Sequence, residues 1–244
     1  MSQDMNQGLT PAEEFIKYAL DIKAFEFLPE GRPLKNERIS PYFFNAGLFH
    51  TGEAIAEISL AYACVIVEHF GDHLTPDFHL VRMFDLLYGP PYKGTILVPA
   101  VAIQLSRITS SNPSFCTSRK EVKEHGEGGL LIGSPIKQGD RVLIIDDVIT
   151  DGGTKAEAVE FIRSYGGQVV GLVIAFDRQE RGTGMESSVQ EFTGKYGVPV
   201  YSIATLTDLI SFMRKRAIQF GAYTSSNYEM LQKIIAYQKE YGIS

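Results

Sequence analysis

Two adjacent carboxylates end an apolar stretch of the chain. The stretch reads RVLIIDDVITDGGTK from Arg141 to Lys155, and Asp146 and Asp147 close its apolar part. Ligands of an open parallel sheet bind beyond the carboxyl ends of its strands. Two carboxylates at such an end can hold sugar hydroxyls, or a Mg²⁺ ion that bridges hydroxyls and a diphosphate. Asp146 and Asp147 are therefore the first candidates for a polar-ligand site.

A glycine-rich turn follows the two carboxylates. Residues 150–154 read TDGGT and lead into a predicted helix over 154–165. The backbone N–H groups of such a turn and the N-terminus of the helix together bind an anion. A sugar that carries a phosphate fits both halves of this pattern. Two other interpretations stay open from this stretch alone: a strand-to-helix turn with an aspartate cap, and an acidic pocket that takes up a phosphoryl group.

The composition limits the class of protein. The chain has 244 residues, of which 44% are hydrophobic, and this suits one large α/β domain or one domain with an elaboration. The net charge of -6 disfavours broad binding of nucleic acid. Cys64 and Cys116 lie far apart in the sequence, which fits a reducing cytosol better than a disulfide scaffold. The polar start predicts no signal peptide, and we expect no membrane span.

The apolar pattern predicts the elements that position the carboxylates. After residue 140, continuous apolar strands alternate with helices, which predicts a parallel sheet covered on both faces. The predicted strands read RVLIIDDV, QVVGLVIAFD and VPVYSIA, and the predicted helices cover 154–165, 186–196 and 206–216. The tail from Gly221 holds another amphipathic helix, predicted to pack on the body or on a second subunit through Tyr228, Leu231, Ile234 and Ile235.

The first half of the chain gives shorter signals. Thr10 and Glu13 form a capping box that opens a helix, and a long helix over 52–70 is predicted to end at Gly71. FDLLYGPPYKG reads as a short buried strand with a tight turn, ILVPAVAIQLSRI as a helix and SFCTS as a strand. Lys93 lies at the end of the first of these predicted strands.

A charged segment follows the predicted strand SFCTS. Residues 119–129 read RKEVKEHGEGG and have no apolar periodicity, so we predict a mobile loop. Its cationic or titratable groups are Arg119, Lys120, Lys123 and His125. The glycines allow such a loop to close, and the cations favour closure over a diphosphate. A solvated run of charges is the plain alternative.

Five blocks of the sequence resemble a known family. VLIIDDVITDGGT resembles the phosphoribosyl-diphosphate motif of the type I phosphoribosyltransferases. RISPYFFNAGLF, YGPPYKG, SRKEVKEHGEGG and FDRQERG resemble the orotate phosphoribosyltransferases in order and spacing, over about residues 12–216. The resemblance implies one domain over 1–244, with a central parallel sheet flanked by helices. It also implies a small hood from about 1–50 and a C-terminal helical extension over about 217–244.

The resemblance implies a reaction and its partners. The 5-phosphoribosyl group of 5-phosphoribosyl 1-diphosphate passes to orotate, giving orotidine 5′-monophosphate and diphosphate, a step of de novo pyrimidine (UMP) biosynthesis. Such a pentosyltransferase needs Mg²⁺, carried mainly by the diphosphate and the ribose hydroxyls, so no residue is a certain metal ligand. The family further implies a cytoplasmic homodimer whose 119–129 loop acts on the neighbouring subunit. We expect neither nucleic acid nor a membrane as partner.

The resemblance also implies which residues form the site. The phosphoribosyl diphosphate would be bound by Lys93, Arg119, Lys120, Lys123, His125, Asp146, Asp147, Val148, Ile149, Thr150, Asp151, Gly152, Gly153 and Thr154. The catalytic residues would be Lys123, His125, Asp146 and Asp147. The orotate side would be formed by Lys35, Phe43, Phe44, Thr150 and Arg178. There, an aromatic pair can flank the flat pyrimidine while main-chain groups contact its edges.

Two positions depart from the pattern of the family. Asp151 stands where a small or neutral residue is usual, so its side chain must point away from the phosphate. Lys35-Asn36-Glu37-Arg38 stands where Lys-Ser-Gly-Arg is common, which puts the shape of this turn in question. Two other functions stay open. One is a transferase of the same fold for another base, and the other is a non-catalytic transcription regulator that binds the same sugar donor.

Overall fold

The helices and strands alternate along most of the chain. The computed structural model describes residues 8–34, 36–71, 73–74, 80–81, 83–109, 111–123, 129–149, 153–219 and 225–243. The strands are β1 (Phe25–Pro33), β2 (Ile39–Phe44), β3 (His73–Leu74), β4 (Leu80–Val81), β5 (Leu86–Gly89), β6 (Ser114–Lys123), β7 (Gly129–Gly133), β8 (Arg141–Asp146), β9 (Gln168–Asp177) and β10 (Val200–Thr205). The helices are α1 (Pro11–Asp21), α2 (Gly52–Phe70), α3 (Lys93–Ile108), α4 (Gly153–Ser164), α5 (Ser188–Tyr196), α6 (Leu206–Gln219) and α7 (Ser225–Tyr241), with a 3-10 turn at Ala46–Leu48.

A six-stranded sheet forms the centre of the fold. Its strand order is β10-β9-β8-β5-β6-β7, and every pairing is parallel except that of β6 with β7. Alternate residues of β8 enter opposite cores: Leu143 and Ile145 pack in one cluster, Val142 and Ile144 in the other. A strand that is buried on both faces needs a continuous apolar run, which is what the sequence of β8 provides. The predicted parallel sheet with helices on both faces is confirmed.

The predicted helices are present, and their caps explain where they begin and end. At α1, Thr10 Oγ1 accepts the N–H of Glu13 at 3.2 Å, and the Glu13 carboxylate accepts the N–H of Thr10 at 3.0 Å. Such a capping box satisfies two N–H groups that the helix itself leaves without partners. Helix α2 runs from Gly52 to Phe70 and ends at Gly71, as predicted.

The charged segment 119–129 differs from the prediction. Residues 119–123 continue β6, and Gly129 begins β7, which pairs with β6 in an antiparallel hairpin. The prediction of a loop throughout this segment was wrong, because an edge hairpin satisfies its backbone by strand pairing and does not need an apolar stripe. The tip of the hairpin, 124–128, lies outside the described residues.

The hairpin near the start of the chain and the C-terminal helix pack together. Strands β1 and β2 form a separate antiparallel hairpin, and α7 packs against β2 and α6. Helix α7 therefore packs on the body of this chain. Leu231 and Ile234 are buried and Ile235 is partly buried, as predicted, but Tyr228 is 49% exposed and does not belong to the stripe. Tyr237 is buried on this face instead.

Two further properties of the described residues bear on the compositional predictions. Cys64 and Cys116 are both free thiols, the first exposed and the second buried. Burial raises the pKa of the Cys116 thiol to about 12. Within the described part of the chain, none of the helices combines the length and the apolarity that a bilayer crossing requires.

Candidate active site

The two aspartates lie where the strand order of the sheet reverses. From β5 the chain moves outward to β6 and β7, then returns to place β8 on the other side of β5. In an open α/β sheet, ligands bind in the crevice beyond the strand ends at such a switch point. Asp146 ends β8, and Gly89 ends the neighbouring β5. The carboxylate pair and the YGPPYKG turn therefore border the same crevice.

Asp146 and Asp147 have different surroundings. Asp146 is 4% exposed; its Oδ1 accepts the N–H of Asp147 at 3.0 Å, and its Oδ2 lies 2.7 Å from the ammonium nitrogen of Lys155. Burial raises the pKa of the Asp146 carboxyl, while the Lys155 ammonium opposes that rise. Asp147 is half-buried, and its Oδ1 accepts the N–H of Val148 at 2.8 Å. Asp147 is thus the more open carboxylate, and Asp146 is the paired one.

Lys155 is a member of this site that sequence reasoning missed. It lies in the first turn of α4, yet it is only 8% exposed. A cation in the first turn opposes the helix dipole, so a lysine there calls for a specific anionic partner. That unfavourable position next to two aspartates was the signal in the sequence that could have identified it.

The end of β8 is held by hydrogen bonds from helix α2 and from the neighbouring strand β9. The Tyr62 hydroxyl of α2 donates to the carbonyl of Asp146 at 2.6 Å. The carbonyl of Asp147 accepts the N–H of Ala175 at 2.8 Å and that of Phe176 at 3.3 Å. These contacts fix the backbone that carries both carboxylates, which is the preorganisation that a binding site requires.

The predicted anion cradle is described only in part. Thr150, Asp151 and Gly152 lie outside the described residues, so the expected orientation of Asp151 does too. Gly153 and Thr154 begin α4 and are exposed at the helix N-terminus. The Ile149 side chain is buried, and that of Val148 packs partly buried against the core, so these two residues can face a ligand chiefly through their backbone.

The YGPPYKG turn brings Lys93 to the same edge of the sheet. Gly89 and Gly94 approach so closely that a Cβ on Gly94 would lie 2.7 Å from the Cα of Gly89, which only glycine allows. The peptide bond between Pro91 and Tyr92 is cis. Lys93 begins α3, and its Nζ would lie 2.8 Å from a Cβ placed on Gly47. Lys93 therefore reaches over the 3-10 turn that follows β2.

A cavity of about 480 Å³ opens beside the turn and the cradle. It is lined by Tyr88, Pro90, Pro91, Ser118, Arg119, Leu130, Thr154, Glu157, Ala158 and Phe161. The Arg119 guanidinium donates to the carbonyls of Gly129 and Leu131, at 3.2 and 3.3 Å, and so bridges the β6–β7 hairpin. Lys120 and Lys123 lie on β6, where the structure describes their backbone but not their side chains. His125 lies outside the described residues. Their roles toward a diphosphate stay predictions.

The predicted orotate side is assembled around Arg178, which follows β9. Its guanidinium is buried: Nε donates to Glu180 Oε1 at 2.8 Å, Nη2 donates to Ser40 Oγ at 2.9 Å, and the group lies 4.3 Å from the centroid of the Tyr42 ring. Sequence reasoning named neither Glu180 nor Ser40, although both lie in blocks that resemble the family. The contact between Arg178 and Ser40 joins the FDRQERG block to the SPYFF block.

The two phenylalanines of SPYFF face different surroundings. Phe44 is buried in the core among aromatic rings, so its ring is not open to a ligand in this structure. Adjacent strand residues point to opposite faces, and for this reason only one of the two rings can leave the core. Phe43 is half-buried, with the Arg32 guanidinium 4.2 Å from its ring centroid. Phe44 can take part in base binding through its backbone, which stays a prediction.

The turn between β1 and β2 forms without glycine. Lys35 lies outside the described residues. Glu37 adopts a left-handed conformation with φ of 65°, and its N–H donates to the carbonyl of Leu34 at 3.0 Å. Glycine adopts that conformation without a steric cost, and other residues do not. The chain thus makes a tight turn here through a strained glutamate.

The parallel sheet, the carboxylate pair at its switch point and the helix that begins beyond it define a phosphoribosyltransferase. The family model for the phosphoribosyl transferase domain matches residues 75–193. Orotate phosphoribosyltransferases from Thioalkalivibrio sulfidiphilus and Nitrosococcus oceani are 43% and 41% identical to this chain. The first match covers 96% of this chain and 99% of the relative, and the second covers 94% of each.

A solved structure extends the likeness to three dimensions. The orotate phosphoribosyltransferase of Francisella tularensis superposes with a TM-score of 0.75 at 28% identity, over 94% of this chain and 99% of that one. The chain therefore belongs to the orotate phosphoribosyltransferase family. The resemblance inferred from the five sequence blocks is confirmed.

Proposed function

We propose that the crevice beyond β8 and β5 is the centre at which this chain, an orotate phosphoribosyltransferase, carries out its reaction. The enzyme transfers the 5-phosphoribosyl group of 5-phosphoribosyl 1-diphosphate to a ring nitrogen of orotate, releasing diphosphate and forming orotidine 5′-monophosphate. We place the active site there because the carboxylate pair lies at the switch point of the sheet. The near-full-length likeness to orotate phosphoribosyltransferases carries the choice of base.

Asp147 is the carboxylate that meets the ribose in this proposal. As the bond between C1 and the diphosphate breaks, positive charge develops on the sugar, and a nearby carboxylate stabilises it. Asp147 is half-buried and its backbone is fixed by two hydrogen bonds, so it is placed in advance for this role. Asp146 lies next to Asp147 and is buried in its ion pair with Lys155. The attacking nucleophile is the orotate anion, and no strong protein base is needed.

The cations of the turn and of the hairpin bind and release the diphosphate. Lys93, Arg119 and Lys120 hold it, and Lys123 and His125 assist its departure. Arg119 supports this assignment because it lines the cavity beside the cradle. Thr150 and the following turn residues hold the 5′-phosphate at the N-terminus of α4, where anions bind well. The hairpin covers the reacting centre and excludes water.

Mg²⁺ enters this proposal together with the diphosphate. Across the residues that the structure describes, no three His, Cys, Asp or Glu side chains cluster as a metal cage. Mg²⁺ keeps several waters and binds through one or two carboxylates plus phosphate oxygens, and Asp147 and the diphosphate would supply such ligands. When bound, Mg²⁺ neutralises charge on the diphosphate. Asp147 is the described carboxylate best placed to contact it through the ribose hydroxyls.

We further propose that the working unit is a homodimer that forms through α3. The described side chains on one stripe of this helix leave large apolar surfaces in solvent: Tyr92 is 70% exposed, Ile96 59% and Ile103 52%. Such a stripe marks a protein interface, and a second copy of this chain is the occupant that continues it by symmetry. Tyr92 belongs to the YGPPYKG turn, so the partner subunit would lie next to the site. Light scattering of the wild-type protein and of Ile96→Glu checks this interface.

A cytoplasmic setting completes the proposal. Both cysteines are free thiols, which is the usual state in a reducing compartment. The net charge of -6 favours small anionic partners at a local basic site over nucleic acid.

Orotate absorbance tests the function directly. Purified protein is mixed with Mg²⁺ and phosphoribosyl diphosphate, and uracil and a purine base replace orotate in control reactions. We expect loss of the orotate signal only when metal and sugar donor are both present. Turnover of another base would support the transferase of different specificity. Tight binding of the sugar donor without any turnover would support the regulator.

A further inference from the structure

The C-terminal segment pairs with the loop that carries Arg178. We call residues 178–182 the base-side loop. The N–H of Arg181 donates to the carbonyl of Tyr241 at 2.8 Å, and the N–H of Ile243 donates to the carbonyl of Gln179 at 3.2 Å. Glu180 and Gly242 form an antiparallel bridge between these two bonds. Residues 241–243 thus bind the base-side loop through an isolated antiparallel bridge and two backbone hydrogen bonds.

A stack of side chains continues this contact into the core. The Arg178 guanidinium lies over the Tyr42 ring, and the Tyr42 ring meets the Tyr237 ring edge-on, with centroids 6.1 Å apart at 89°. Tyr237 belongs to α7 and is buried. Burial raises the pKa of Tyr237 to about 12; nearby Glu180 adds to the rise and Arg178 opposes it. Helix α7 therefore closes the pocket that holds the Arg178 guanidinium.

Arg38, which directly precedes β2, contacts both the base-side loop and the end of α7. Its Nη1 donates to the carbonyl of Arg181 at 2.7 Å and lies 3.6 Å from the Glu180 carboxylate. Its guanidinium lies 5.2 Å from the ring centroid of Tyr241. The start of β2, the base-side loop and the end of α7 thus meet at one residue.

The stack also buries two tyrosine hydroxyls. Tyr42 and Tyr237 have buried hydroxyls without a hydrogen-bond partner among the described residues. The Tyr237 hydroxyl lies close enough to Arg178 and Glu180 for both to shift its pKa, while its ring contributes packing that phenylalanine at position 237 keeps. This makes Tyr237→Phe a conservative variant for a test of position.

We propose that the C-terminal segment 225–243 is a positioning element for orotate: it holds the base-side loop and orients Arg178 against Ser40 and Glu180. The inference rests on the proposed role of Arg178 in binding orotate. Reactivity depends on ångström-scale placement of such a group. If the C-terminal segment no longer holds Arg178, the KM for orotate should rise. The YGPPYKG turn and the anion cradle at the start of α4 lie on other elements, so the affinity for the sugar donor should stay unchanged.

Steady-state kinetics of Tyr237→Ala test the inference. We expect the KM for orotate to rise about tenfold, with the KM for phosphoribosyl diphosphate within about twofold of wild type. Tyr237→Phe should restore the wild-type value, and Tyr228→Ala, on the exposed side of α7, is the matched control. An equal change in both constants, or a change in thermal stability alone, would overturn the positioning role.

Arg178→Ala separates this inference from the assignment on which it rests. If that variant keeps the wild-type KM for orotate, the proposed role of Arg178 fails. If Arg178→Ala raises the constant and Tyr237→Ala does not, the positioning role alone fails. Should Tyr237→Ala not fold, Tyr241→Ala together with deletion of 242–244 removes the Glu180–Gly242 bridge, the hydrogen bond from the Ile243 N–H and the ring beside Arg38. It leaves the buried stack, with the same expected rise for orotate only.

Discussion

The ammonium nitrogen of Lys155 lies 2.7 Å from Oδ2 of Asp146 and 3.9 Å from Oδ1 of Asp147. One cation thus faces two carboxylates, and the group carries a net charge of about -1 in place of -2. The cation is closest to the buried carboxylate and leaves the open one to a ligand. Charge on the sugar can still be stabilised there, because the carboxylates outnumber the lysine.

Lys155→Met should leave the Asp146 carboxylate buried without its partner. Removing one member of a buried pair costs about 3 kcal/mol, so we expect the free energy of unfolding to fall by that order at pH 7. Without the ammonium, burial raises the folded-state pKa of Asp146 further above its unfolded value. The loss relative to wild type should therefore shrink as the pH falls through that raised pKa. Urea unfolding at several pH values, with Lys155→Arg as the charge-keeping control, measures this; a loss that is independent of pH would contradict it.

Asp147→Asn and Asp146→Asn should fail in different ways. Asp147→Asn removes the open carboxylate, so we expect calorimetry to show weaker binding of phosphoribosyl diphosphate at nearly unchanged stability. Asp146→Asn leaves the buried Lys155 ammonium without its nearest anion, with only Asp147 Oδ1 at 3.9 Å, and we expect a loss of stability of up to about 3 kcal/mol. Normal affinity for the sugar donor in Asp147→Asn would remove that residue from the ribose site.

Lys123→Ala should lower turnover far more than affinity. Lys123 is the last residue of β6 and pairs with Gly129, at the base of the hairpin tip. A group that stabilises the departing diphosphate acts mainly in the transition state, and its loss costs about 100-fold in kcat. The dissociation constant of phosphoribosyl diphosphate, measured by calorimetry, should change little. Lys137→Ala, an exposed lysine before β8, is the control, and unchanged turnover in Lys123→Ala would exclude the hairpin from the mechanism.

Mixing two inactive variants tests whether the hairpin acts across the dimer. If it does, a heterodimer of Lys123→Ala with Asp147→Asn holds one site in which both residues are intact. About half of randomly mixed dimers are heterodimers, and each has one intact site of its two. The mixture should therefore show roughly a quarter of the wild-type activity. Verified heterodimers without activity would place each hairpin over the site of its own chain.

The parts of the fold that local signals determine could be predicted from the sequence. The apolar runs of β8 and β9 and the capping box at Thr10 act within a few residues, and all of them have the expected structure. The strand end at Asp146 followed from the same local pattern. Parallel-sheet geometry then places that end at the ligand crevice without any knowledge of side-chain positions.

The rest depended on contacts between distant parts of the chain. For Lys155 the sequence offers only its unfavourable place in the first turn of a helix, and its ion pair with Asp146 is visible only in the fold. The tail from 225 gives no sign that it reaches Arg178. The β6–β7 hairpin was missed because strand pairing, and not an apolar stripe, holds its charged residues in extended form. Phe43 and Phe44 were assigned to the base as a pair, whereas the alternation of a strand gives their rings different surroundings.

Glu37→Gly should stabilise the protein. Glu37 holds a left-handed φ of 65°, which costs a residue with a side chain more than it costs glycine. The extra freedom of glycine in the unfolded chain offsets part of this gain, so we expect an increase of about 1 kcal/mol or less in the free energy of unfolding. Glu37→Ala relieves none of the strain and is the control, while Glu37→Asn should fall between the two because asparagine tolerates this conformation. Urea unfolding of the three variants decides the matter: equal stability of the glycine and alanine variants would show that the side chain, and not the backbone conformation, sets the cost of this turn.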